Sequence, residues 1–474
     1  MIAKFLIPIA VLGVSLVWPG VMGMGGLPTV AAYLPDLVSA LSLAWLMAAL
    51  IATGRWARIP VRYWLSFIGF VYVVAAGAVL NNVSGDTIFA GIRVYFRYLS
   101  LFLLPFVYHY SGRDIGKILI FLACLMVLQL PLTVWQRFVS FAATLHDGDK
   151  IAGTLSSTSS LAILSAFAIL TAVALYVDRL LGLALAGILC LLIIVPSALS
   201  EAKATPVFAA FGAAIVCWCR RDRFKFSQML TIGIVGGVVL AGFVYLYNQI
   251  YQRDGVDSYA GTMTNVDALI NNYNYLGVEA LPFQIPKKSK GYMVAEAQPQ
   301  LERDVPELGR FDSITMPFHA LFPHELSYLA LGLGIGNVDT TFGSGGDYLE
   351  IENILSGTHT GLAMLIWELG LFGAFFYLMF LVTVARDALR ASRADGVIGA
   401  FAVSSWACFL IAILTLAYAN MFHLPEIAMV LHFQAGIVAA HLALEHREEV
   451  SDEAAVIKDP PKYLVTQRDE LRPT

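Results

Sequence analysis

The sequence predicts an all-α polytopic membrane protein with about 12 transmembrane helices and one large extracytoplasmic loop between spans 9 and 10. Three observations lead there. Of the 474 residues, 58% are hydrophobic and 14% charged, too little polar surface to cover a water-soluble domain. The apolar residues fall in blocks of roughly 18–25, the length at which a helix crosses a bilayer core. Within each block the apolar character is continuous rather than alternating. Of the two structures that satisfy their backbone in lipid, helix and closed barrel, this selects the helix.

The expected spans are 4–22, 34–53, 62–81, 91–110, 115–135, 159–177, 180–199, 204–219, 229–250, 361–385, 398–420 and 425–444. The first of them has the apolar character of a signal peptide. No small-residue cleavage site follows it, so it is expected to remain as a span. Residues 1–250 then hold spans 1–9, residues 251–358 form the extracytoplasmic loop, and 359–444 hold spans 10–12. The charged tail 445–474, with Pro460–Pro461, reads as a cytoplasmic, largely disordered segment.

Sidedness follows from the basic residues. One set of short connections carries Arg55, Arg58, Arg62, Arg113, Lys117, Arg179, Arg220, Arg221, Arg223, Lys225, Arg386, Arg390 and Arg393. The opposite short connections, NNVSGDTIFAG and FHLPE, carry no Lys or Arg. The positive-inside rule therefore places both termini in the cytoplasm and the long loop outside, in a plasma (inner) membrane. A loop of this length is functional or separately folded. Short helices on the outer membrane face are expected there, with 314–331 the best helical stretch.

The net charge of −4 argues against nucleic acid as a partner. The five cysteines, Cys124, Cys190, Cys217, Cys219 and Cys408, lie in or beside apolar blocks, and their number is odd. That argues against a disulfide framework or a zinc site and for packing.

Ionisable residues within spans are costly and mark candidate sites. Arg93 and Arg97, four apart on span 4, share one helix face; the structural alternative is that both snorkel to the interface. Lys203 lies at the outer junction of spans 7 and 8 beside Glu201, with which it could form a plain surface pair. Glu368 lies deep in span 10 and needs a partner or a water-filled cavity, and a buried ion pair would also account for it. His359 opens that span, where an ordinary interfacial histidine is also found. His432 in span 12 reads as a core histidine bonded across helices. The run GLGIGN at 332–337 follows no strand, which argues against a Rossmann or P-loop reading. Gly334 and Gly336 could bring backbone N–H groups to an anion, or the run could be a plain flexible turn. With Arg310, the cations Arg93, Arg97 and Lys203 would form a cluster at the outer leaflet suited to a pyrophosphate.

The order of these motifs resembles the O-antigen ligase and Wzy-type polysaccharide polymerase superfamily. The stretch GRFDSITMPFHALFPHELSYLALGLGIGN followed by HTGLAMLIWELGLFGAFFYLMFL is similar to that group's outer-loop Gly-Arg, helix, Gly-x-Gly-x-Gly turn, and His heading a helix with Glu-x-Gly-x-x-Gly. The matching residues are Gly309–Arg310, Gly332/Gly334/Gly336, His359 and Glu368–Gly370–Gly373. KIAGTLSSTSSLAIL (150–164) is similar to the group's Gly-Thr segment. LSEAKATPVFAAF (199–211) departs from its pattern by carrying Lys203 where an Arg is typical, a point charge rather than a fork.

The resemblance implies a metal-independent membrane glycosyltransferase without a cofactor. It would move a glycan from an undecaprenyl-pyrophosphate-linked oligosaccharide to a sugar hydroxyl, polymerising repeat units on the outer face. Candidate partners beyond the bilayer are chain-length regulator or export proteins. Arg310, with Lys203 and Arg93 or Arg97, would neutralise the leaving pyrophosphate. His359 would accept the hydroxyl proton, and Glu368 would orient a neighbour or act as base if its helix breaks at Gly370. The alternatives are a ligase that attaches finished glycan to another acceptor, or a secondary transporter or lipid-linked glycan flippase. Against the transporter stand the absence of a halves repeat and the expectation of no paired broken helices.

Overall fold

The computed structural model describes residues 2–23, 28–141, 150–223, 225–251, 259–264, 310–321, 326–338 and 360–458. These residues are helical apart from their connections, with no strand among them. The long helices are α1 (Ile2–Gly23), α2 (Leu34–Thr53), α3 (Val61–Leu80), α4 (Gly85–Phe96), α5 (Leu99–Val107) and α6 (Gly112–Trp135). Next come α7 (Thr158–Val177), α8 (Leu183–Leu199), α9 (Ala204–Cys219) and α10 (Phe226–Tyr251). Three short helices follow, α11 (Tyr259–Thr264), α12 (Arg310–Leu321) and α13 (Leu326–Leu331). Then α14 (Gly361–Ala391), α15 (Gly396–Tyr418) and α16 (Pro425–Lys458) close the bundle.

Each of the twelve expected spans coincides with a helix or a helix pair. Among the described residues nine helices are long and apolar enough to cross a membrane, ten spans if the bent pair α4–α5 is counted as one. The remaining two, α8 and α9, have 17 and 16 residues. At 1.5 Å per residue they reach about 25 Å, roughly one helical turn short of a bilayer core.

The connections gather at two ends. At the basic end, Lys4 Nζ donates to Asp114 at 2.6 Å, tying α1 to α6, whose first turn closes with a capping box from Ser111. Arg62 of α3 donates to Asp387 of α14 through Nε (2.9 Å) and Nη2 (2.7 Å), and the Tyr63 hydroxyl donates to the same oxygen at 2.7 Å. Arg220 pairs with Asp178 at 2.7 Å, both almost fully buried, and also donates to the Ser392 carbonyl. At the opposite end, hereafter the loop end, lie residues 81–84, 150–157, 200–203, 310–321, 326–338 and 419–424.

The interior is made by α14, which packs on α3, α15, α16, α12 and α13. Close crossings use small residues, as lipid-embedded helices require. A side chain on Gly436 would meet the Phe102 carbonyl at 2.4 Å, and one on Gly69 would meet the Phe376 ring.

Four expectations are corrected. Span 4, read as one helix over 91–110, is the pair α4 and α5, bent by 53° at Arg97–Tyr98. Its freed Arg97 carbonyl accepts the Ser39 hydroxyl of α2, the kind of repair a broken helix needs in lipid. The 314–331 helix is two helices, α12 and α13. The tail is helical to Lys458 as an extension of α16; residues 459–474 lie outside the described residues. Finally, broken helices are present and paired, because α14 is broken at Gly370 (φ 63, ψ −168).

Candidate active site

The break in α14 is the centre of the site. A residue at positive φ interrupts the helical hydrogen bonds and strands the carbonyls just before it. Here the Trp367 carbonyl accepts from the Leu333 N–H at 2.8 Å, and the Glu368 carbonyl from the Gly334 N–H at 2.9 Å. The turn 332–338 therefore plugs into the break as a backbone substitute for the missing helical bonds.

Glycine is demanded on both sides of this joint. Gly332, Gly334 and Gly336 have φ of 72°, 101° and 73°, a region L side chains rarely enter. A Cβ on Gly332 would fall 2.4 Å from the Glu368 carbonyl carbon, and one on Gly370 would fall 2.4 Å from the Ala330 carbonyl. Gly336 backs onto α4, where a Cβ would meet the Thr87 carbonyl at 2.4 Å, and Gly91 of α4 faces Ile335 and Gly336. Asn81, just after α3, donates to the Gly332 carbonyl at 3.2 Å, and Asn337 to the Leu333 carbonyl at 2.8 Å. Gly334 is thus spent on helix repair, and Gly336 on close approach to α4.

Glu368 sits beside this joint with no solvent exposure. Its Oε2 accepts the Tyr95 hydroxyl of α4 at 2.9 Å. Tyr95 stacks in turn on Phe422, ring centroids 4.8 Å apart, and on Phe70. The partner that Glu368 required from sequence is therefore a phenol on the other broken span, so the two helix breaks face one another.

The predicted cations have specific partners. Arg93 and Arg97 both reach Asp36 of α2, each at 2.6 Å. They also lie over Tyr33 and Tyr98 at 5.6 and 5.3 Å. They do share one face, and an acid on the neighbouring helix, rather than snorkelling, satisfies them. Among the described residues the two guanidiniums share the one carboxylate of Asp36.

Lys203 occupies the short α8–α9 connection at the loop end. Its Nζ lies 3.6 Å from Glu201, itself at positive φ (57°), and 5.9 Å from the centre of the Tyr247 ring. The Tyr247 hydroxyl donates to Glu201 at 3.1 Å, and the Tyr259 hydroxyl to the Lys203 carbonyl.

Arg310 heads α12, which packs on α13, α14 and α15; its side chain lies outside the described residues, as does His359. The residue after His359, Thr360, caps α14 by accepting from the Ala363 N–H at 3.2 Å. His432 bonds within its own helix, Nδ1 to the Ala428 carbonyl at 2.7 Å, rather than across helices.

Two further groups escaped the sequence reading. Glu426, at the start of α16, is fully buried and accepts from the Ser156 N–H at 2.7 Å and from the Ser156 and Ser160 hydroxyls at 2.9 Å. Gln129 grips Thr154 through both of its side-chain atoms, and Gln136 grips Gly153 in the same way. The Gly-Thr segment 150–157 is thereby held inside the bundle. The second group is a cavity of about 250 Å³ that starts at Tyr95 and runs between α2, α3, α5 and α14. Leu43, Met47, Tyr63, Phe70, Tyr377 and His432 line it, and Met47 is exposed, so the cavity reaches the lipid-facing surface.

No family model matches this sequence, and no curated protein matches it.

Proposed function

We propose that the protein is a membrane glycosyltransferase that takes a glycan from an undecaprenyl-pyrophosphate carrier. The observation that carries the reading is convergence. The Gly332–Gly336 turn seats in the Glu368–Gly370 break across the bundle, and the Arg310-headed helix α12 packs on the same helix, α14. These are the segments on which the family resemblance rests.

In this proposal all twelve helices or helix pairs span the plasma membrane, the basic end is cytoplasmic, and the loop end faces out. The acceptor hydroxyl oxygen bonds to the anomeric carbon as that carbon's bond to the phosphate oxygen breaks. His359 takes the hydroxyl proton. The departing pyrophosphate stays on the lipid, with Arg310, Lys203 and the Arg93 and Arg97 guanidiniums offsetting its charge. Glu368 acts through Tyr95 to fix α4 against α14, and the polyprenyl chain enters the aromatic cavity below Tyr95. Repeat-unit polymerisation is the favoured reaction. A chain-length regulator or exporter is the expected protein partner.

The test is glycan length in cells carrying Arg310→Ala or His359→Ala. Each substitution is expected to abolish extension at normal protein levels. Wild-type length in either ends the assignment. Loss of long chains with single units still attached denotes a polymerase; complete loss of attachment with lipid-linked chains accumulating denotes a ligase.

One observation favours a second reading, a transporter or glycan flippase: two broken spans joined by the Tyr95–Glu368 bond resemble the discontinuous helices that bind transported substrates. Flipping of lipid-linked glycan by the purified protein in liposomes, without glycosidic bond formation, would select it.

A further inference from the structure

A second cavity, of about 470 Å³, opens between α8, α9 and α10 with α7 as its floor. Its walls are almost wholly apolar, with many small residues. Gly187 of α8 and Gly233, Gly236 and Gly237 of α10 line it, and a Cβ added to any of these four would meet nothing within 4 Å. Small residues in membrane helices normally let backbones touch. Here the helices stand apart over them, and α10 has no fully buried residue among 227–238. An apolar gap of this size cannot hold ordered water, which needs polar partners. In a bilayer it must be filled by hydrocarbon.

The cavity lies in one half of the bundle. Tyr176, Leu183 and Met229 line it near the connections 178–182 and 220–225, so it ends at the basic end. Charged residues cluster at that mouth. Asp178 is taken by Arg220 at 2.7 Å, and Arg223 by Asp395 at 2.8 Å. Arg221 lies 3.9 Å from Asp222, which is 91% exposed. Arg179 and Lys225 are exposed and have no carboxylate partner among the described residues. Arg179 sits three residues after Tyr176, and Lys225 four before Met229, so both cations are rooted within one turn of the groove.

We propose that this groove is a binding site for an anionic phospholipid of the leaflet at the basic end. One acyl chain fills the space over Gly233, Gly236 and Gly237, and the phosphate headgroup rests on Arg179 and Lys225. Basic pockets between membrane helices bind anionic headgroups by this combination of a greasy slot and a charged rim. The site is separate from the α14 break, and the proposal stands whether or not the protein transfers glycans.

The experiment uses the full chain, delipidated and then equilibrated with mixed micelles of phosphatidylglycerol and phosphatidylcholine bearing identical acyl chains. Bound lipid is read by native mass spectrometry. Each surface cation contributes about fivefold to anionic lipid binding, so two predict roughly a 25-fold preference for phosphatidylglycerol. Arg179→Gln with Lys225→Gln, both on exposed side chains, should bind the two lipids about equally while the protein stays monodisperse. Gly236→Leu, which has open space for its side chain, should bind neither lipid at this site. Equal binding of both lipids by the unaltered protein overturns the proposal. So does undiminished phosphatidylglycerol preference in the double charge variant, or a second copy of the chain occupying the groove instead of lipid.

Discussion

Replacing Gly370 by Ala should be among the most damaging single-methyl additions in the molecule, and its size follows from geometry. At φ 63, ψ −168 the backbone lies in a region open almost solely to glycine, and a side chain there costs on the order of 1–3 kcal/mol. The added Cβ would also lie 2.4 Å from the Ala330 carbonyl carbon and oxygen and 2.5 Å from the Leu331 nitrogen. Those are backbone atoms and cannot swing aside. Relieving the clash means withdrawing the 332–338 turn, which breaks the bonds from Leu333 and Gly334 to the Trp367 and Glu368 carbonyls, each worth about 1 kcal/mol net. The sum is about 3–5 kcal/mol. Gly396→Ala is the control. It has a positive φ of 69° but open space around the added carbon, so it should cost about 1–2 kcal/mol. Unfolding of the two variants by SDS titration in mixed micelles, read by tryptophan fluorescence, measures the difference. The chain's eight tryptophans, the buried Trp367 beside the break among them, report unfolding of the whole bundle. Equal losses for the two substitutions would refute the interlocked joint.

Other consequences are open to measurement. Tyr95→Phe and Glu368→Ala should each destabilise by about 1–3 kcal/mol, because a buried polar group loses its partner. In a double-mutant cycle they should couple by at least about 0.5 kcal/mol, and strict additivity would exclude their pairing. Asp36→Asn leaves Arg93 and Arg97 facing one another without that anion. Its stability deficit should shrink as salt screens that repulsion, and a salt-independent deficit would contradict the cluster. Gln129→Leu should speed amide exchange across 151–157 by releasing Thr154; unchanged exchange there would mean Gln136 and Glu426 hold the segment alone. For sidedness, Asp86→Cys and Asp222→Cys, both on exposed positions, should react with a membrane-impermeant maleimide from opposite sides, Asp86→Cys from outside.

The apolar blocks made the helices legible because a span must bury its backbone whatever its neighbours do. What they concealed were the breaks. Arg97 and Tyr98 carry no Gly or Pro to announce the bend between α4 and α5, and its cause lies elsewhere, in Asp36 and Ser39 of α2. Gly370 stood out in the sequence as a motif residue where the helix could break, but nothing there pointed to Ala330 as the backbone it meets. The oddity of Glu368 was plain from its depth, yet Tyr95 could not be named as its partner, because 273 residues separate them and a tyrosine in an apolar span reads as packing. Asp36 was within reach of sequence logic, since two arginines one turn apart call for an acid at the same depth. Glu426 carries no such signal, because a carboxylate in the short connection FHLPE at a helix start reads as an ordinary interfacial residue.

The plug at 332–338 also bears on biogenesis. The ribosome delivers α3 and α4 some 250 residues before the plug, and α14 after it. The first two helices must therefore wait in the bilayer with Gly77 and Gly91 uncovered, and the plug cannot seat until α14 has arrived with its bend at Gly370. Grafting a foreign segment in place of 332–338 onto this scaffold should consequently fail unless the matching notches in α3, α4 and α14 are transplanted together.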